Sequence, residues 1–477
     1  MKHDVRSPVQ LDSAAPPIEG LSPFAGSGQL DRALTTFLAS SSQMLCEWIA
    51  AKSDHGPLPR LSVLLDAAPE PIGRDADGLL ADLRTAMEGA YQPHHPGALA
   101  HLDPPPLTSS LAAELIAAGL NNNLLAEELA PSLSRLERGV CTWMARRLGF
   151  PEGSGGVAAS GGTLSTLNAL VCARRRQGLQ SRADAVIVAS EEAHVSLAKA
   201  AAVMGLAADG LVSVPTDGEG RLCVDALSGQ LAALEQTRRP VIAVVATAGT
   251  TVRGAVDPLG AIAGLCRERQ LWFHIDGAIG AVFGLSRRER TRVPGLAMAD
   301  SLTVNPQKLL GISKTSSLLL LRDPAWLREA FQTGLPYMEP SWGGGHGGEC
   351  GLQGSRPAEV LKLWLGLRQL GLDGIEAVLR GALERRRTLE RQLDATSLQI
   401  AGGPLHLLAV TPRHLPPEGA ERWAEQTRRV LLERHLMLSR PHYRGRSWLK
   451  AVLGNPYTDA GLLTELAELL NRSALSS

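Results

Sequence analysis

Five short apolar runs, at 185–189, 241–246, 271–275, 301–304 and 316–321, constrain this chain more than any other feature. Each is β-branched or leucine-rich and has the length of a buried strand. Helix-patterned segments separate the first three, and shorter links join the later ones. Such alternation predicts an α/β domain with a mostly parallel sheet. Ligands of these sheets sit beyond the carboxyl ends of the strands, where the loops converge.

The flanks read differently. LDRALTTFLASSSQMLCEWIA opens a stretch at 30–60 with apolar residues three and four apart, as in an amphipathic helix. QPHHPGALAHLDPPPL (92–107) has too much Pro and Gly for a helix or central strand, so it crosses the surface or lines a cleft. Helical patterns at 108–120 and 131–148 lead into GSGGVAASGGT (153–163) and a helix to about 176. From 357 a long helix, AEVLKLWLGLRQL, and another at 373–394 precede a smaller α+β tail. The expected division is an N-terminal helical and extended segment at 1–90, loosely ordered over 1–29, a large domain at 91–385 and a small C-terminal domain at 386–477.

Charge excludes several functions. Acidic and basic residues number 48 each, so the chain lacks the basic excess that bulk-charge binding to nucleic acid or a membrane surface needs. Aromatics are 4%, which argues against base-stacking platforms. No apolar run approaches the roughly 20 residues that span a bilayer. The polar, proline-rich start MKHDVRSPVQLDSAAPP lacks the apolar core of a signal peptide, and a cytoplasmic location is expected. Six cysteines, at 46, 141, 172, 223, 266 and 350, show no paired spacing, so neither a disulfide framework nor a metal site is expected. The arginine run LERRRTLERQL (383–393) reads as a solvated helix face.

Only seven lysines occur, which makes amine chemistry easy to localise. In SLTVNPQKLLG, Lys308 follows a short strand among Pro and Leu, an odd place for a solvated side chain. A partly buried lysine loses basicity and becomes an amine nucleophile able to form a Schiff base. Lys314 sits in the polar turn GISKTSS and reads as exposed. Asp276 closes the apolar strand LWFHID, where it could cap the next helix or face a ligand over Gly277 and Ala278. SGGTLSTLNALVCARRR (160–176) is either a glycine turn into a packed helix or a phosphate seat at a positive helix end. Together, an amine, a strand-end carboxylate and a phosphate seat are what pyridoxal phosphate requires.

Nine segments carry a resemblance: HPGALAHLDPP, NNNLLAEELAPSLSRLE, GGVAASGGTLSTLNAL, SEEAHVSLAKAA, ATAGTTVRGAVDP, WFHIDGAIGA, ADSLTVNPQK, LQGSRPAEVLKLWLGLRQLG and WLKAVLGNPYT. In this order they resemble the group II pyridoxal-phosphate amino-acid decarboxylases, which act on aromatic amino acids, glutamate, cysteine sulfinate or diaminobutyrate. The resemblance extends from about residue 90 to the C-terminus. It implies a fold-type I enzyme with a mostly parallel seven-stranded sheet, acting as a homodimer with its active sites at the interface. By the same resemblance Lys308 would hold the cofactor, Asp276 would pair with its ring nitrogen, and Ala278 and His194 would lie on the two ring faces. Thr247 would sit near the ring hydroxyl, Gly162, Thr163 and Asn305 at the phosphate, and Ser355 would reach the phosphate of the neighbouring subunit. Tyr337, in FQTGLPYMEP, would be the loop tyrosine that protonates the substrate carbon, with Tyr91 as a competing tyrosine. His94, His95 and His101 either line the entrance or decorate a loop.

Some positions depart from the resembled pattern. Lys450 stands where an arginine would hold the α-carboxylate, replacing a fork by a point charge, with Arg444 and Arg446 near enough in sequence to compensate. Gln307 replaces a histidine before the lysine, and Leu309 and Leu164 also differ. The resemblance implies decarboxylation of an L-amino acid to its amine. Decarboxylation coupled to oxidative deamination, giving an aldehyde, and a non-catalytic cofactor-binding relative are the alternatives.

Overall fold

Two helices form early in the chain because aspartates cap them. Asp31 accepts from the Leu34 N–H to start α1 (Arg32–Ala50), and Asp75 accepts from the Gly78 N–H to start α2 (Ala76–Glu88). The computed structural model describes residues 20–51, 56–59, 65, 67–334 and 345–475. They fall into two units, 1–95, which holds α1 and α2, and 96–477. The helix expected within 30–60 is α1, ending ten residues earlier. The first 19 residues of the segment expected to be loosely ordered lie outside the described residues.

The second unit is built on a seven-stranded sheet. Its strands are β1 (Gly155–Ala159), β2 (Val186–Ser190), β3 (Leu211–Val214), β4 (Val241–Thr247), β5 (Trp272–Asp276), β6 (Ser301–Val304) and β7 (Ser317–Leu321). They lie in the order β1-β7-β6-β5-β4-β2-β3. Only β7 runs against its neighbours, and the pairs from β6 to β3 are parallel. The expected parallel sheet is therefore borne out, and all five expected runs are strands. The reading missed β1 and β3. GGVAA has one β-branched residue, and it pairs so tightly with β7 that a Cβ on Gly156 would stand 2.0 Å from the Leu319 carbonyl oxygen. LVSV is only four residues long.

Both faces of the sheet are covered, so alternate residues of each strand enter different cores. Val186, Val188, Val244, Phe273 and Ile275 pack into one, with α4 (Pro131–Arg147), α7 (Val224–Gln236), α8 (Leu259–Glu268) and α10 (Val360–Gln392). Ile187, Ala189, Ala243 and Val245 pack into the other, with α5 (Gly162–Arg176), α6 (Ser196–Val203) and α9 (Ala325–Phe331). Helix α3 (Thr108–Leu120) lies against α10. The two helices read after residue 357 are one element broken at Gly371, whose φ of 58° is left-handed.

A three-stranded antiparallel sheet follows, from β8 (Leu398–Gly402), β9 (Leu407–Pro412) and β12 (Leu449–Val452), with β9 central. The short hairpin β10 (His442–Tyr443) and β11 (Arg446–Ser447) precedes β12, and α11 (Pro417–Glu433) and α12 (Ala460–Leu475) cover the sheet. Their core of Leu389, Leu398, Trp423, Leu431 and Leu466 is separate from the other two. On that basis we propose that the small C-terminal part begins within the last turns of α10. Among the described residues, no helix is long and apolar enough to cross a membrane.

Glu137 on α4 and Arg356, both buried, form a two-bonded ion pair at 2.5 and 2.6 Å. Breaking such a pair strands a charge in low dielectric. Arg356→Leu is expected to cost about 3–5 kcal/mol of stability, while Glu137→Leu with Arg356→Leu recovers much of it. Urea denaturation of the three proteins checks this; an unshifted midpoint for Arg356→Leu contradicts it.

Candidate active site

Register brings the polar strand ends together. Thr247 at the end of β4 lies opposite Asp276 at the end of β5, and Asp276 lies opposite Thr303 on β6. Past β6 the chain turns through Asn305 to Lys308, whose N–H donates to the Asn305 carbonyl at 3.1 Å. A cavity of about 360 Å³ opens there. Gly162, Thr163, His194, Thr247, Asp276, Ala278, Asn305, Lys308 and Lys450 all line it. They come from stretches of chain around 162, 194, 247, 276, 305 and 450, which meet only through the fold.

Burial sets the protonation of the two lysines. It pushes the Lys308 amine below the ordinary lysine range, against the opposing pull of Asp276 and Asp103. Lys450 is pushed down to about 8 by burial and by the charge of Lys308, and its Nζ donates to the Thr251 carbonyl at 3.2 Å. Burial likewise lowers the His194 pKa. The Ser196 N–H donates to His194 Nδ1 at 3.2 Å, which assigns the ring proton of the neutral form to Nε2.

Supporting contacts fix these groups. Asp276 Oδ1 accepts from the Ala278 N–H at 3.1 Å. One pleat behind it, fully buried His274 sits between Ser301 Oγ at 2.8 Å and Thr303 Oγ1 at 3.5 Å, and burial pushes it down to about 4. Asp257 accepts from the Thr247 N–H and the Leu222 N–H, both at 2.7 Å, and burial raises its pKa to about 6. Ser317 Oγ donates to Asn305 Oδ1 at 2.7 Å and also bonds Ser165 Oγ on α5. Helix α5 starts at Gly161 with no side-chain cap, and a Cβ on Gly162 would stand 2.8 Å from Asn305 Nδ2. Glycine alone lets that helix end approach the amide.

Several expectations resolve differently. Arg444 and Arg446 do not compensate for Lys450, because neither lines the cavity. Arg444 and Gly445 are left-handed at the β10–β11 turn; Arg444 bonds Glu192, Thr216 and the Asp217 carbonyl, and Arg446 bonds the Pro412 and Leu415 carbonyls. Ser355 is exposed, accepts from Asn123 Nδ2 at 3.1 Å and lies outside this chain's cavity lining. Tyr337 lies outside the described residues. Tyr91, His94 and His95 belong to the first unit, whereas His101 lines the cavity. Lys314 is exposed, as its polar turn suggests, and pairs with Asp103 at 3.0 Å. Gln307 also lines the cavity, and its Oε1 accepts from the Ser316 N–H at 2.7 Å. Sequence reasoning missed Asp103, Glu192 and Asp257. Only Asp103, in the proline-flanked HLDPPP, and Glu192, two residues before His194, carried a signal. Among the described residues, no group of His, Cys, Asp or Glu is arranged to hold a metal.

A sequence model of the pyridoxal-dependent decarboxylase conserved domain matches residues 60–400. The L-2,4-diaminobutyrate decarboxylase of Rhizobium meliloti (strain 1021) is 31% identical over 419 residues, covering 86% of this chain and 84% of the relative. The cysteine sulfinic acid decarboxylase of Mus musculus is 32% identical over 374 residues, covering 74% of this chain and 73% of the relative. The crystal structure of mouse CSAD matches with a TM-score of 0.85 at 25% identity, over 93% of this chain and 99% of that one. Oryza sativa TDC with PLP and tryptamine shares the fold, with a TM-score of 0.87 at 20% identity, over 95% of this chain and 99% of that one.

A second buried histidine gives a pH test. Among the described residues His406 has no hydrogen-bond partner at either ring nitrogen, and burial, aided by Arg385, Lys308 and Lys450, pushes it down to about 3. Between there and the ordinary value of 6.5 the unfolded chain binds more protons than the folded one, so stability falls as pH drops through that window. His406→Leu is expected to make the loss of unfolding free energy between about pH 7 and 5 shallower by up to about one proton. Urea titrations across that range check it, and an unchanged slope contradicts it.

Proposed function

This chain belongs to the pyridoxal-dependent decarboxylase family, and from that premise we propose that it removes carbon dioxide from an L-amino acid to leave the amine, with pyridoxal phosphate held at Lys308. The observation that carries the reading is the meeting of Lys308, Asp276, His194, Asn305 and Lys450 in one cavity at the strand ends.

The residues present suit the cofactor. Lys308 is a half-buried amine of lowered basicity, the state in which a lysine attacks a carbonyl. Thr247 lines the cavity, and among the described residues its buried Oγ1 has no hydrogen-bond partner. The uncapped start of α5 offers backbone N–H groups beside Asn305, the chemistry a phosphate needs. Bound there, pyridoxal phosphate supplies an electron sink for the pair released when the bond from Cα to the carboxylate breaks.

The protein's own work is orientation and proton placement. Asp276 keeps a proton on the ring nitrogen, its carboxylate fixed by the Ala278 N–H. His194, whose pKa is lowered from the ordinary histidine value, offers a flat face for stacking. Lys450 holds the substrate α-carboxylate as a single charged donor, out of bulk water, where the attraction is strongest. After carbon dioxide leaves, Cα takes a proton; Tyr337 is proposed as its donor on sequence position alone. A homodimer, with Ser355 reaching the neighbouring site, and a cytoplasmic location are likewise proposals from sequence.

Two outcomes test this. A mass-spectrometric screen of amino acids with the cofactor-loaded protein is expected to find loss of carbon dioxide and formation of amine, and Lys308→Ala is expected to abolish both amine formation and the bound cofactor's visible absorption. Aldehyde with oxygen consumption, or full turnover by Lys308→Ala, contradicts it. Lys450→Ala is expected to lower kcat/KM about 10- to 100-fold, the worth of one charge-assisted hydrogen bond, as steady-state kinetics would show.

A further inference from the structure

Beside the cavity, a tyrosine of the small C-terminal part holds a carboxylate carried by a loop of the large sheet. Glu192 lines the cavity, two residues before His194, and its side chain is 9% exposed. Its Oε1 accepts from Tyr443 Oη at 2.5 Å and from Arg444 at 3.3 Å. Burial and the Glu192 carboxylate push the Tyr443 hydroxyl up to about 12, so it keeps the proton it donates. A hydrogen bond to a charged acceptor away from water is worth more than an ordinary one.

Both ends of this contact are fixed. Glu192 sits in the turn after β2, where its own N–H donates to Ser190 Oγ at 3.1 Å and the Ala193 N–H to the Ser190 carbonyl at 3.0 Å. The neighbouring Glu191 accepts from the Thr216 N–H and hydroxyl at 2.9 and 2.7 Å. Gly220, left-handed with a φ of 76°, leaves room for the Glu192 carboxylate, since a Cβ there would stand 3.1 Å from both its oxygens. Tyr443 is buried edge-on against Trp448, with ring centroids 5.8 Å apart, and the Trp448 indole N–H donates to the Tyr443 carbonyl at 3.0 Å.

That indole belongs to the stretch that carries Lys450. Ser439 and Lys450 exchange backbone hydrogen bonds at 3.1 and 2.9 Å, closing a hairpin with Tyr443 and Trp448 inside it. The hairpin is held to the large sheet's loops on two sides. On one, Lys450 Nζ reaches the Thr251 carbonyl, and Val252 beside it packs on the Tyr443–Trp448 pair. On the other, Tyr443 reaches Glu192. One contact leaves such a unit free to pivot. Two, on the loops that follow β4 and β2, fix the Lys450 ammonium relative to the strand-end residues of the cavity.

We propose that Tyr443 is a positioning residue: by holding Glu192 it sets the place of Lys450 against the cofactor site, and with it the grip on the substrate α-carboxylate. This rests on the decarboxylase reading, in which Lys450 takes that carboxylate. Tyr443 itself is not part of the cavity lining and acts only through Lys450.

Two reagents that differ by a carboxylate test this on the cofactor-loaded protein. Aminooxyacetate and O-methylhydroxylamine each take the cofactor's carbonyl carbon from Lys308, releasing the lysine amine, and the change in the cofactor's absorption gives a rate for each. The ratio of the two rates reads the grip on the carboxylate without any need for turnover. Lys450→Ala is expected to lower this ratio about tenfold or more, and Tyr443→Phe, which removes one hydroxyl, about 3- to 10-fold. Together the two substitutions lower it no further than Lys450→Ala alone, because Tyr443 acts through Lys450. A ratio untouched by either substitution alone overturns the proposal, and equal changes in both rates, which general structural damage produces, leave it untouched in that sense. A drop that adds in full to that of Lys450→Ala also overturns it, being the mark of a freed Glu192 that repels the carboxylate. Absence of carbon dioxide release from every amino acid screened overturns the decarboxylase reading instead, and leaves the positioning of Lys450 by Tyr443 standing.

Discussion

The parallel register of β4, β5 and β6 is the constraint on which the site depends. Because Thr247, Asp276 and Thr303 are opposed across these strands, polar groups that the sequence separates by dozens of residues emerge side by side. That register is tightly specified, since alternate residues of the strands enter two different apolar cores and a slip of one position would exchange them. Helices cover both faces, so the loops beyond the strand ends are left to form the site. The cavity is the place where the apolar strands run out and the first polar residues appear.

Charge is what this arrangement manages. Two lysines, 308 and 450, share one small cavity, and burial lowers the basicity of both. Neighbouring carboxylates at 103 and 276 offset this at Lys308, whereas Lys450 has Lys308 as a further opposing charge. The result is a division of labour: an amine that gives up its proton readily at the strand end, and a second cation tethered to the Thr251 carbonyl. The buried neutral ring of His274 beneath Asp276 adds no further charge to this balance.

Much of the site was legible because its residues lie at strand ends or helix starts, where local sequence shows the boundary. Lys308 after SLTV, Asp276 after WFHI and Gly162 before a helix are examples. The five runs were legible for the same reason, being apolar and bounded. What stayed hidden depends on distance through the fold. Nothing in HYRGRSW says that Arg444 bonds Glu192 and Thr216 while Arg446 bonds the Pro412 and Leu415 carbonyls. Nothing near Asp257 says that it holds the Thr247 and Leu222 amides at once. Strand β1 was hidden because close pairing demands glycines, which read as a turn.

The central claim is that Lys308, and not Lys450 in the same cavity, anchors the cofactor. Borohydride reduction of the cofactor-loaded protein followed by peptide mass mapping tests it most directly. The account predicts a reduced pyridoxyl adduct on the peptide containing Lys308 and an unmodified Lys450. An adduct on Lys450, with Lys308 unmodified, would contradict it.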